Sequence, residues 1–162
     1  MAISVVSDKN RRFLRMCRIG IRVVGWLVAA GGAAYTVMVC AGLARPASGA
    51  MQMMWLFAAA GMFLLGIIAI GLAQMIGLVL ADYATPGWIL RHCDKILYLY
   101  AATGLLAQLA SVYLVKTQMQ GDVWLACLPQ TLFAAAKALV IVGLGLVLRR
   151  VIPMVEESKT LV

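Results

Sequence analysis

A single lysine interrupts a long apolar segment near the end of the chain. The segment "TLFAAAKALVIVG" runs from Thr131 to Gly143, and Lys137 is its only charged residue. A lysine at the centre of a membrane-spanning helix costs about 3 kcal/mol on insertion scales, and intramembrane charges are often functional. Lys137 is therefore the first candidate for chemistry in this sequence.

Three interpretations of Lys137 are open. Its ammonium can extend toward the N-terminal end of its helix and reach water, because helical side chains lean that way, and this interpretation is favoured. It can instead form an intramembrane polar cluster with Gln108 and Ser111, which lie three residues apart on the preceding helix. In the third interpretation it binds an anionic ligand or a carboxylate of a partner subunit.

No acidic residue of this chain shares the depth of Lys137. All six lie at or beyond the ends of the predicted spans described below. They are Asp8, Asp82, Asp94, Asp122, Glu156 and Glu157. An acidic partner for Lys137 would therefore have to come from another molecule.

The sequence contains no arrangement typical of a catalytic or metal site. His92, Cys93 and Asp94 are adjacent, but successive helical residues point about 100° apart and do not converge on one ion. Paired acids and bases, Ser/His/Asp sets and phosphate-binding loops are missing, and no histidine lies in a predicted span to ligate haem. We therefore expect a protein that is not an enzyme and has no cofactor or metal.

The composition places these residues in a membrane protein. Of the 162 residues, 64% are hydrophobic and 12% are charged, whereas soluble domains carry about 25% charged residues. Apolar segments long enough to cross a bilayer as helices lie at 23–43, 53–80, 96–115 and 123–148. We therefore expect an all-α integral membrane protein with four transmembrane helices in a single membrane domain, 1–162.

The basic residues predict the orientation. Eleven of the fourteen Lys and Arg residues precede the first span, lie between the second and third, or follow the fourth, and only Arg45 and Lys116 lie in the other connections. The positive-inside rule places both termini, including the tail 149–162, in the cytoplasm. The net charge of +8 then reflects topology and anionic lipid rather than nucleic acid, and the plasma (inner) membrane is the expected location.

Short connections predict that sequential helices are antiparallel neighbours in an up-down bundle. Small residues recur every four positions on the second helix and predict a face for close packing. These residues are Ala69, Ala73, Gly77 and Ala81. A similar row on the first helix consists of Gly25, Ala29 and Ala33.

The residues before the first span form a basic stripe. Arg11, Arg15, Arg18 and Arg22 are spaced by four, three and four, so they share one side of a helix over 8–22. We expect this amphipathic helix to lie in the cytoplasmic interface, where each basic residue gains about 1 kcal/mol from anionic head groups. A specific acidic partner or lipid pocket is the alternative.

The four cysteines are predicted to lie on two sides of the membrane. Cys17 and Cys93 are predicted to be cytoplasmic, whereas Cys40 and Cys127 lie near the outer ends of their helices. A disulfide between Cys40 and Cys127 would require an oxidising compartment. Free thiols are the favoured state.

These features favour a protein that acts by assembly. We expect an accessory or structural subunit of a larger membrane complex, or a homo-oligomer, whose partners are the bilayer and other membrane subunits or copies of itself. The alternative is a small oligomeric transporter or channel subunit in which Lys137 favours anions along a path. Whether Lys137 faces a cavity, a helix contact or lipid separates the two.

Single-cysteine labelling tests the orientation. Cysteines introduced at Ser7 and Ser158, in a protein without the native cysteines, should resist a membrane-impermeant maleimide in intact cells and react after permeabilisation, because both positions are predicted to be cytoplasmic. A cysteine replacing Ala47, in the predicted outer connection, is the control and should react from outside. Labelling of either terminal cysteine in intact cells would show that the orientation is wrong.

Overall fold

All regular structure in the described residues is helical. The computed structural model describes residues 8–42, 48–80, 87–118 and 123–160. Its helices are α1 (Asp8–Cys40), α2 (Gly49–Val79), α3 (Trp88–Arg91), α4 (Cys93–Gln118) and α5 (Val123–Thr160). Within these residues, four helices, α1, α2, α4 and α5, are long and apolar enough to cross a membrane. The predicted all-α fold with four spanning helices is confirmed in length and composition, and the orientation stays a prediction.

Local residues mark the end of α1 and the beginning of α2. Gly42, just after α1, has φ +69°, in the left-handed region that favours glycine, and its N–H donates to the carbonyl of Val39 at 3.3 Å. Ser48 caps α2, because its side-chain oxygen accepts a hydrogen bond from the backbone N–H of Met51 at 3.3 Å. The residue types at the end of α1 and at the beginning of α2 therefore suit those positions.

A break at His92 separates α3 from α4. His92 has φ −111° and ψ 17°, and its Nδ1 lies 3.0 Å from the carbonyl oxygen of Trp88. The Trp88 and His92 ring centroids are 4.7 Å apart. Local contacts thus hold His92 at the end of the short helix, and the predicted span 96–115 lies wholly within α4.

The outer two helices are longer than their predicted spans. α1 has 33 residues and includes the basic segment 8–22 and most of the first span in one helix. α5 has 38 residues, about 57 Å at 1.5 Å per residue, and continues through most of the predicted tail. Pro129 and Pro153 lie inside α5, and each leaves the carbonyl four residues earlier without its helical donor. Whether 8–22 lies in the interface stays a prediction.

The spanning helices pack in series. α1 packs on α2, α2 packs on α4, and α4 packs on α5. Sequential spanning helices are therefore neighbours, as the short connections predict. In the part of the chain that the structure describes, α1 and α5 share no extensive contact. The bundle is consequently open between its first and last helices, and α2 and α4 are the inner pair.

Glycine and alanine bring the backbones of α1 and α2 together. A Cβ atom on Gly32 would lie 2.5 Å from the backbone nitrogen of Phe63, and one on Gly66 would collide with the backbone of Ala29. Gly25 faces Gly66, so the contacts run in opposite directions along the two helices, which are antiparallel. Such contact is typical of membrane helices, whose association depends on close packing.

The row on α1 differs from the predicted one. Gly25, Ala29 and Gly32 are buried against α2, whereas Ala33 is exposed. The observed spacing of four and three averages 3.5 residues, the repeat of left-handed helix packing. In a row that repeats every four residues, the third residue no longer faces that interface.

The predicted row on α2 is only partly buried. Ala73 and Gly77 are buried, Ala69 is partly exposed, and Ala81 lies outside the described residues. The close contacts with α1 come instead from a stretch of α2 that begins ten residues before Ala69 and ends one residue after it. Its residues are Ala59, Phe63, Gly66 and Ile70.

Two adjacent glycines of α1 allow a matched test of this interface. Gly32→Ala puts a methyl group against the backbone of Phe63 and should lower the free energy of unfolding by about 1–3 kcal/mol. Gly31→Ala meets no heavy atom within 4 Å and should leave stability unchanged or slightly raised. Unfolding in detergent micelles, followed by tryptophan fluorescence, measures both. Equal stabilities would contradict this packing of α1 on α2.

Candidate functional site

An open groove with a volume of about 640 Å³ lies between α2, α4 and α5. Ligand sites commonly have volumes of about 300–1,000 Å³, mostly apolar walls and a few polar groups. The walls here are mainly apolar, and the polar side chains include those of Gln108, Gln130 and Lys137. The groove is therefore the candidate site.

Small residues create the groove. Gly61 of α2 and Ala101 and Gly104 of α4 line it and leave the space between the helices unfilled. On α5 the lining extends from Pro129 to Ile141, a distance of about 18 Å at 1.5 Å per residue. The groove therefore runs along the helix axis over slightly more than three turns.

Lys137 lies in this groove beside an aromatic ring. Its Nζ is 5.7 Å from the ring centroid of Tyr100 on α4, a distance typical of a cation–π contact worth about 0.5–2 kcal/mol. The rest of its side chain is largely exposed. Because a mid-span lysine costs about 3 kcal/mol, the ring offsets only part of that cost.

A second tyrosine of α4, Tyr98, also contacts α5. A Cβ atom on Gly145 would lie 2.9 Å from the ring of Tyr98. The later tyrosine, Tyr100, lies beside the earlier α5 residue, Lys137, so α4 and α5 run antiparallel. Extension of the Lys137 ammonium toward the N-terminal end of α5, the arrangement favoured from the sequence, stays a prediction.

Gln108 shares the groove with Lys137, but Ser111 does not line it. The Nε2 atom of Gln108 is buried and has no hydrogen-bond partner among the described residues. The predicted cluster of Lys137, Gln108 and Ser111 is thus only partly brought together. Along α4 the groove ends at Gln108, and Ser111 lies almost one turn beyond it.

Sequence reasoning missed Tyr100 and the small residues around it. Tyr100, Gly104 and Gln108 are spaced by four, so they share one side of α4. That spacing was a usable signal. The contribution of Gly61 from α2 depends on the packing of two helices and has no counterpart in the sequence pattern.

The basic stripe lies along α1 as its spacing predicts. Arg11, Arg15 and Arg22 are exposed, and Arg18 is partly buried. Phe13, on the opposite side, is exposed as well. Both sides of this segment are therefore accessible to lipid or to another protein.

A second basic region lies where α4 begins and α5 approaches its end. Arg91, Lys95 and Arg149 line an opening of about 560 Å³ there, together with Asp94. All four belong to the predicted cytoplasmic side. The region adds positive charge to the same side as the α1 stripe.

The four cysteines are free thiols. Cys40 is exposed on α1, and Cys127 is buried on α5. The considered disulfide between them is not formed, because these two helices do not pack on each other in the described residues. Cys40 and Cys127 lie near the predicted outer ends of their helices, but α1 and α5 are at opposite ends of the series, so the two thiols do not meet.

His92, Cys93 and Asp94 do not gather around a common point with further ligands. In residues 8–42, 48–80, 87–118 and 123–160, no group of three His, Cys, Asp or Glu side chains could hold a metal ion. The absence of a resident cofactor stays a prediction.

The fold defines the class as an all-helical protein with four described helices of membrane-spanning length. Comparison of the chain with protein-family models, curated proteins and solved structures finds no match. Function must therefore be argued from the groove and the exposed surfaces.

Replacing Gln108 by methionine tests the unpaired amide. A buried polar group without a partner costs about 1–3 kcal/mol, so Gln108→Met should leave the isolated protein equally stable or stabilise it by up to that amount. Gln130→Met, at an exposed position of the same groove, is the control and should change stability by less than about 0.5 kcal/mol. Unfolding in detergent gives both values. A clear loss of stability in Gln108→Met alone would contradict an unpaired amide.

Proposed function

We propose that this protein acts by assembly in a membrane, as an accessory or structural subunit of a larger complex or as a homo-oligomer, without catalytic activity. The observation that carries the proposal is a charged residue, Lys137, in a groove on the open side of a serial bundle. α1 packs only on α2, and α5 packs only on α4, as their extensive described contacts show. Both outer helices therefore keep long surfaces free for other proteins.

Apolar exposure alone would not support assembly, because lipid covers such surfaces as readily as another helix does. Lys137 is different. It lies in an open groove of α5 with a contact to Tyr100 that offsets only part of the cost of its charge. Another protein can supply what hydrocarbon lacks, a fixed negative group.

The basic side of the molecule supports the same proposal. Two basic surfaces would lie on the cytoplasmic side of a plasma membrane in the predicted orientation. They are the α1 stripe and the region around Arg91, Lys95 and Arg149. Positive surfaces of this kind attract anionic head groups and acidic partners. Assembly would then combine contacts within the bilayer and at its cytoplasmic surface.

The groove also supports a second candidate, a subunit of an oligomeric channel or transporter. Lys137 would face an anion path in that case. The groove covers about 18 Å along α5, whereas the hydrocarbon core is about 30 Å thick. A path across the membrane would therefore need several copies of the chain.

Purification from the native membrane in a mild detergent tests the proposed function. We expect a particle larger than the 17.4 kDa chain, containing other membrane proteins or several copies. Recovery of monomer alone would contradict assembly. Anion flux through proteoliposomes that contain only this protein would favour the second candidate.

The basic stripe is tested within the same preparation. Replacing Arg11, Arg15, Arg18 and Arg22 by Gln should reduce retained anionic lipid, counted by native mass spectrometry, or recovery of partners by at least about ten-fold, since each basic residue contributes about 1 kcal/mol.

Four alanine substitutions on the opposite side of the helix provide the control. The replaced residues are Phe13, Met16, Cys17 and Val24. This variant should lose less lipid and less partner than the glutamine variant. Unchanged lipid retention and recovery in the glutamine variant would show that the stripe is only a solvated surface.

A further inference from the structure

We infer that the groove between α2, α4 and α5 receives a transmembrane helix of a different protein, and that an aspartate or glutamate within that helix pairs with Lys137. The inference rests on the proposed assembly and names the chemistry of one partner. Four features of the groove support it: its donors, its depth, its shape and the positions of the chain's own acids.

The polar groups of the groove call for a negative acceptor. The Lys137 ammonium has three donors and no acceptor, and the buried Nε2 of Gln108 adds unpaired donors beside the same space. A carboxylate has two oxygens, either of which can accept from the Lys137 ammonium.

Depth distinguishes a helix carboxylate from a lipid head group. Apart from Lys137, the uncharged run of α5 extends from Cys127 to Leu148, so its middle lies within about 1 Å of Lys137 along the axis. The surfaces of a hydrocarbon core about 30 Å thick lie about 15 Å from its middle. Because Lys137 lies near the middle of this run, a carboxylate fixed within a transmembrane helix meets its ammonium better than a phosphate at the surface.

The shape of the groove suits a helix. It follows the axis of α5 for about 18 Å, or slightly more than three turns. Gly61, Ala101 and Gly104 have small side chains or none, so the backbone of another helix can approach closely there. Phe133 at its side is 75% exposed and would be covered by the incoming helix.

A second copy of this chain does not provide the required group. Its six acidic residues lie at or beyond the helix ends. Asp94 is the one in the first turn of α4, near the membrane surface rather than at the depth of Lys137. The partner is therefore a protein of another sequence.

Native purification with three variants tests the pairing. Lys137→Met should reduce recovery of the partner at least ten-fold, while the stability of the isolated bundle stays equal or rises, because an apolar residue replaces a charge. Lys137→Arg keeps the charge and should retain most of the recovery. Lys116→Met removes an exposed charge in the last turn of α4, outside the basic region and the groove, and should retain full recovery.

The recovered protein must then satisfy the chemistry. It should carry an Asp or Glu within a transmembrane segment, and changing that residue to its amide should reduce recovery as strongly as Lys137→Met does. The two changes together should cause no further loss, because they remove one interaction. Exchanging the two charges between the proteins should restore recovery.

Three results would overturn the inference. They are unchanged recovery with Lys137→Met, a recovered protein without an intramembrane acid, and additive losses in the double variant. A wild-type complex that persists in Lys137→Met would refute the pairing and leave assembly standing. Wild-type monomer alone would refute assembly itself.

Discussion

Close packing of small residues on α2 is the constraint on which the described fold depends. Water cannot drive membrane helices together, so contact distance decides which helices associate. Gly66 brings the backbone of α2 against α1, and Gly61 faces Thr103 of α4 on another side. α2 is therefore an inner helix with neighbours on two sides. The serial order of the spanning helices follows from this arrangement and from the packing of α5 on α4.

A serial arrangement of helices gives the polar side chains of an outer helix fewer neighbours than a closed bundle does. In a closed bundle the polar side chains of every helix can turn toward a shared interior, whereas here α5 has one packed neighbour. Lys137 therefore lies in a groove with an open side, and its described contact is the ring of Tyr100. A cation–π contact of about 0.5–2 kcal/mol does not match a charge penalty of about 3 kcal/mol. In the proposed assembly, a carboxylate of the partner protein closes that gap.

The sequence predicts single helices better than it predicts their contacts. Hydropathy and length identified the four spans, and helical spacing identified the α1 stripe. The row Gly25, Ala29 and Ala33 ended one residue too late, because α1 and α2 meet with a 3.5-residue repeat that neither helix specifies alone. The groove depends on Gly61 and Tyr100 from different helices, so their shared location follows only from packing. The same holds for Cys40 and Cys127, whose helices are not neighbours among the described residues.

Photo-crosslinking in the native membrane tests the central claim most directly, namely that another protein completes the groove. A photoreactive residue at Phe133 lies in the groove, whereas one at Leu139, which is 73% exposed, projects from the opposite side of α5. We predict that the probe at 133 attaches to a transmembrane segment that contains an aspartate or glutamate, and that the probe at 139 attaches mainly to lipid. Attachment of the probe at 133 to lipid alone, or to a second copy of this chain, would contradict the account.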